Sequence, residues 1–190
     1  MSKFFNTIKM IVIIFYLNMI TTTKFRVNEE EKNELIIKGE INSKTFKQLK
    51  KVLSENPQID TLLLLDCPGS LNDEVNIPMC HFVREKGLNT KVTKESHTAS
   101  GGTDLFLAGV KRYYQEGARI GVHSWQDSSG KEAKDIPKED KSHKMFTEYT
   151  NKMLGSDDFY WFTIYAAPAR GMYYMTQEEL EKFQVITDFA

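Results

Sequence analysis

A chain of 190 residues, 41% hydrophobic and 12% aromatic, has enough apolar surface for one full core, which excludes wholesale disorder and favours one domain over two. Its 25 basic and 26 acidic residues leave a net charge of −1 with no basic stripe, so nucleic acid is not an expected partner. Cys67 and Cys80 form no Cys-x-x-Cys spacing, and His81, His97 and His143 have no ligand-like spacing with each other or with them. No metal or cofactor is expected, and each of these histidines reads as a surface or cap residue.

In chain order, Lys3 and Lys9 precede the apolar run Met10 to Leu17, which Met19 and Ile20 extend before Thr21-Thr22-Thr23. A positive start followed by about 7 to 15 apolar residues has the form of a secretory signal, while a spanning helix needs roughly 20. No Ala-x-Ala-like cleavage site follows. Residues 1–23 are therefore expected to be a signal peptide or N-terminal membrane anchor, with a buried first element as the alternative, and residues 24–190 the folded domain. The expected location is exported, periplasmic or membrane-anchored rather than cytoplasmic. In an oxidising compartment a Cys67–Cys80 disulfide is allowed; otherwise both are buried thiols.

Glu34 to Ile41 reads as a strand, and Ser43 as the cap of a helix with Phe46, Leu49, Val52 and Leu53 on one face, ended by Asn56-Pro57. Ile59 to Asp66 is a continuous apolar run of strand length, the pattern of a central strand covered on both faces. After the turn Cys67-Pro68-Gly69-Ser70, Pro78 places the start of the next helix near Asn76, leaving Ser70 to Val75 as loop, and Gly87 ends it. Thr90 to Thr93, Arg112 to Tyr114 and Ile120 to His123 read as short strands. Gln126 to Lys138 reads as an exposed, mobile loop and a candidate lid. Lys138 to Leu154 and Asp157 to Ala166 read as helices, the second rich in aromatic residues suited to a core or a subunit interface.

Between the strands at 90–93 and 112–114 lies Thr98-Ala99-Ser100-Gly101-Gly102-Thr103, where a polar loop becomes the apolar helix ending at Ala108-Gly109. A serine at a helix start sits beside unpaired N–H groups and a partial positive charge, and flanking glycines admit a substrate carbonyl to the backbone. Twenty-three residues later, Arg119-Ile120-Gly121-Val122 leads to His123, a candidate base. Glu95-Ser96-His97, just ahead of the serine, is a weaker candidate for lining the same cleft.

The order of these pieces resembles the Clp-type serine peptidases and the wider Clp/crotonase superfamily, including exported bacterial relatives, over roughly Leu35 to Asp188. Leu64-Leu65-Asp66-Cys67-Pro68-Gly69-Ser70-Leu71 stands where the family has a strand ending in Ser-Pro-Gly-Gly-Ser. Gly87-Leu88-Asn89-Thr90-Lys91-Val92 stands for Gly-Leu-x-Thr-x-Val, and Ala99-Ser100-Gly101 for the nucleophile segment. Tyr173-Tyr174-Met175-Thr176-Gln177-Glu178-Glu179-Leu180 and the short strand Val185-Ile186-Thr187 look like the closing pattern. The spacing of Thr176 and Glu179 is also that of a capping box.

The resemblance implies a single α/β domain of the ClpP/crotonase-like type, a spiral of β-β-α units. It implies Ser100 as nucleophile, His123 as base, and backbone N–H groups of Gly69, Ser70 and Gly101 as the oxyanion hole. It also implies a peptide or protein substrate and a homo-oligomer. One departure stands out: the family's third triad member is an aspartate just before the terminal aromatic pair, whereas this chain reads Pro168-Ala169-Arg170-Gly171-Met172-Tyr173. Asp157 and Asp158 are the nearest candidates for a replacement, with helix capping as their alternative role. A Ser100–His123 dyad, a catalytically inactive peptide-binding or assembly relative, and a crotonase-like acyl-thioester enzyme all remain open.

Overall fold

The computed structural model describes residues 22–190. The expected leader lies outside them except for Thr22 and Thr23. Thr23 already belongs to the fold: its buried hydroxyl donates to the Glu40 carbonyl at 2.6 Å and lies 2.7 Å from the Thr45 hydroxyl. Among the described residues no helix is long and apolar enough to cross a membrane.

Two antiparallel strands begin the domain, β1 (Lys24–Val27) and β2 (Glu34–Lys38). β2 pairs in parallel with β3 (Thr61–Cys67), whose residues Thr61 to Leu64 are buried, as a strand covered on both faces requires. Helix α1 (Thr45–Glu55) connects them. It is not capped by Ser43 as expected. The Asn42 carboxamide accepts from the Lys44 N–H, and the Thr45 hydroxyl accepts from the Asn42 N–H. β2 also stops earlier than expected, because Gly39 has φ +96° and a side chain there would meet the Thr22 carbonyl oxygen at 2.6 Å.

Helix α2 (Asp73–Glu85) starts three residues before the position that Pro78 suggested. Pro78 lies inside it, on the exposed face, so the carbonyl of exposed Glu74 that loses its helical partner faces water. Asp73 and Glu74 in the first turn favour the early start through the helix dipole. The opposite face buries Ile77, Met79, Cys80 and Val83. Cys67 and Cys80 are both free and buried, so the allowed disulfide is not formed. Burial pushes the Cys67 thiol up to about 12, leaving it an inert packing group.

The sheet then divides. β4 (Asn89–Val92) pairs with the first half of β3, and β5 (His97–Ala99) with its end at Asp66 and Cys67. Between them, buried Ser96 donates its hydroxyl to the Leu64 carbonyl at 2.6 Å and accepts from the Thr93 N–H at 2.9 Å, pinning the bend where the two arms part. One arm continues through β6 (Arg112–Tyr114) to β9 (Asp188–Phe189), the other through β7 (Arg119–Val122) to β8 (Tyr173–Tyr174). Among the described residues nine strands form this one curled sheet in a single α/β domain. The final strand lies just beyond Val185-Ile186-Thr187, since Thr187 instead donates its N–H to the Arg112 carbonyl at the strand's entry.

Short helix α3 (Gly101–Leu107) follows β5, and α4 (Lys144–Leu154) and α5 (Asp158–Ala166) come after β7. The expected helix from Lys138 is shorter: Asp140 accepts the Ser142 N–H and a 3-10 turn at Lys141–His143 precedes α4. The stretch 126–138 is tied down rather than free. Gln126 bridges to Glu132, Ala133 is fully buried against Tyr160 and Ile164, and the Glu132 carboxylate accepts the Ala169 N–H at 3.0 Å. Helix α6 (Gln177–Lys182) opens with the Thr176–Glu179 capping box in both directions.

Candidate active site

Ser100 joins β5 to α3 with φ 52° and ψ −127°, a conformation L residues rarely adopt. Such a turn persists only where its surroundings hold it, and here they do so from both sides. The Ser100 N–H donates to the Gly121 carbonyl at 3.0 Å, and its own carbonyl accepts from Thr103 at 2.8 Å. The glycines that follow are required by close packing. A side chain at Gly102 would meet the Cys67 carbonyl oxygen at 2.1 Å, and one at Gly101 the Ser70 Cβ at 2.3 Å. Gly69 passes beside the serine, where a Cβ would lie 3.7 Å from the Ser100 hydroxyl. The β3–α2 turn and the start of α3 are thus pressed together around Ser100, further tied by the Asn76 amide donating to the Gly101 carbonyl at 2.9 Å.

His123 leaves the end of β7. Its Nδ1 lies 2.6 Å from the carbonyl oxygen of Ser124. A carbonyl can only accept, so Nδ1 carries the proton and Nε2 presents the lone pair of a general base. Ser124 is itself buried and held, its N–H donating to the Ala167 carbonyl at 2.8 Å. Ser100 and His123 line the same cavity, of about 80 Å³, without a hydrogen bond between them. Resting-state contacts of this kind often close only around substrate.

Two carboxyls share that cavity, Asp73 from the first turn of α2 and Asp104 one helical turn after Ser100. Burial pushes the Asp104 carboxyl up to about 8, and the nearby Asp73 charge pushes the same way. Burial raises Asp73 as well, against the opposing pull of the Ser70 hydroxyl and of His123. Asp157 and Asp158 are not among the residues lining this cavity. Asp157 accepts from the Trp161 indole at 3.0 Å, and both sit at the start of α5. His97 points elsewhere too, its Nε2 lying 2.7 Å from the Tyr174 hydroxyl. His143 is a core residue rather than a surface one, 1% exposed and packed against Trp125 and Trp161.

No protein-family model and no curated protein sequence matches this chain. Solved structures match it at the level of fold. ClpP1 from Listeria monocytogenes superimposes with a TM-score of 0.59 at 16% identity, over 83% of this chain and 91% of its own. A mutant of the 1510-N membrane-bound stomatin-specific protease gives 0.59 at 19% identity, over 82% and 77%. An enoyl-CoA hydratase from Shewanella pealeana gives 0.51 at 10% identity, over 90% and 69%.

The chain has the Clp/crotonase fold. Within this Clp/crotonase frame, of the residues the sequence pointed to, Ser100, Gly101 and His123 line one cavity, while Gly69 and Ser70 pack against Ser100 and Gly101 without lining it. Asp73 and Asp104 carry no motif of their own. The only signals for them were the four-residue step from Ser100 to Asp104 along a helix and the closeness of Asp73 to the Gly69-Ser70 turn.

Proposed function

We propose that this chain is a Clp-type serine peptidase acting through a Ser100–His123 dyad. His123 Nε2 takes the Ser100 hydroxyl proton as Oγ bonds to the substrate carbonyl carbon. The N–H groups of Ser70 and Gly101, with Gly69 shaping the turn, face the developing oxyanion. The imidazolium then protonates the leaving amine as the C–N bond breaks, and water releases the acyl group by the reverse path. The Ser124 carbonyl takes over one task of the missing aspartate, fixing the tautomer, but as a neutral group it stabilises the imidazolium less than a carboxylate does. Turnover below that of a complete triad is the consequence.

The observation that carries this reading is a serine held at positive φ at a helix start, opening into the same cavity as a histidine whose Nδ1 proton is already committed. Residues 1–23 are proposed to direct export or hold the protein at a membrane. Exposed Tyr165 on the aromatic helix α5 is proposed to lie in a homo-oligomer contact. A second reading, a silent peptide-binding relative, is favoured by the lack of a carboxylate between Pro168 and Tyr173 and of a direct Ser100–His123 hydrogen bond.

A fluorophosphonate probe applied to the full-length chain separates the two. Labelling abolished by Ser100→Ala and slowed by about 100-fold or more by His123→Ala supports the peptidase. Labelling that survives Ser100→Ala overturns it, and no labelling of the wild type favours the silent relative.

A further inference from the structure

The cavity beside Ser100 has an uneven chemistry. Its walls include Trp125, Phe146 and Tyr160, while the titratable side chains facing it besides His123 and tyrosine are the acids Asp73 and Asp104; no lysine or arginine lines it. Among the described residues no hydrogen bond or ion pair reaches the Asp104 carboxyl. Arg84, the cation beside the neighbouring Tyr149, is already committed: it donates Nε to the Ala108 carbonyl at 2.9 Å, and one terminal nitrogen to the carbonyls of Leu107 and Gly109 at 2.8 and 3.0 Å. A desolvated carboxyl without a cation is unfavourable, and an apolar occupant would seal that deficit in. Aromatic faces and carboxyl groups together suit an apolar stem ending in a positive charge.

We propose that this cavity receives a basic lysine side chain from the substrate residue whose carbonyl Ser100 attacks. The inference rests on the peptidase reading for the position of that residue, but the cavity's preference for a cation does not depend on catalysis. A space of about 80 Å³ is room for several waters, enough for an unbranched side chain of about five heavy atoms. The charge reaches Asp104 in the cavity wall, and Asp73 adds a second negative group. The groups acting on Asp104 are Asp73 and Cys80 from α2 and Tyr149 from α4, and His123 beyond β7 lines the same cavity. None is a competing permanent cation. Burial holds Asp104 protonated near neutrality and a bound ammonium favours its ionised form, so the preference for lysine over an apolar side chain strengthens as pH rises from about 6.5 to about 9.

Two measurements on the full-length protein test this. In the first, peptidyl diphenyl phosphonates with lysine or norleucine beside the phosphorus are compared by inactivation rate. In the second, Nα-acetyl-lysine methylamide and its norleucine counterpart are titrated into Ser100→Ala, followed by the NMR signal of the Trp125 indole. Lysine favoured by about tenfold or more, with the lysine-to-norleucine ratio collapsing toward one in Asp104→Asn, is the expected result. Because the ratio is taken within each variant, a general loss of reactivity cancels. Norleucine equal to or better than lysine in the titration overturns the proposal. If no phosphonate or generic probe reacts yet the titration still selects lysine, the peptidase reading falls and the cation site stands.

Discussion

Replacing Asp104 with asparagine should make the protein more stable, and more so the higher the pH. The Asp104 carboxyl is held up to about 8 in the folded chain, against a value of 3.8 for the exposed group. Between those values the folded state holds a proton that the unfolded state has released. Wild-type stability therefore loses up to about 1.4 kcal/mol per pH unit through this group, relative to a neutral side chain of the same shape. The contribution is fully present below about 3.8 and is gone once pH passes about 8. Over the two units from about pH 5.5 to 7.5 the ceiling is about 2.7 kcal/mol, and relaxation and water entry at a cavity wall reduce the expected gain to about 1–2 kcal/mol. Urea unfolding of wild type and Asp104→Asn at three pH values measures it. A stability difference that stays constant within about 0.3 kcal/mol across that range would show that Asp104 titrates as an ordinary surface carboxylate, and would refute the reasoning from desolvation.

Ser100→Gly should raise stability by about 1 kcal/mol while abolishing probe labelling, because glycine accepts φ 52° without the strain serine bears; thermal unfolding checks the first and labelling the second. Gly102→Ala should do the opposite, costing about 1–3 kcal/mol, since its Cβ would lie 2.1 Å from the Cys67 backbone oxygen. The required shift of α3 should also slow labelling of Ser100 by about tenfold or more.

The parts that periodicity could reach were legible in the sequence. The leucine run of β3, the short strands β4, β6 and β7, and the Thr176–Glu179 capping box all follow from local rules, whereas the polar residues of β5, directly before Ser100, read as loop. What escaped depended on packing between distant segments. β1 is only four residues long, with Lys24 and Arg26 alternating with half-buried Phe25 and Val27, too little pattern to separate from a loop. Pro78 argued for a late helix start, but its burden falls on an exposed carbonyl. The polar stretch after Trp125 concealed that Ala133, a single small residue, anchors it in the core. Ser100 and His123 stood out because each closes or opens an element. Asp73 and Asp104 did not, since an acid in the first turns of a helix ordinarily serves the dipole, and only the curl of the sheet brings these two to one cavity.

The central claim is that Ser100 is the nucleophile, and the site of covalent attachment tests it most directly. After reaction with a fluorophosphonate, tryptic digestion yields the segment 95–111, which contains Ser96, Thr98, Ser100 and Thr103. Fragment-ion mass spectrometry should place the phosphonyl group on Ser100. An adduct on another residue, or an unmodified segment from a protein that still hydrolyses peptides, would contradict the account.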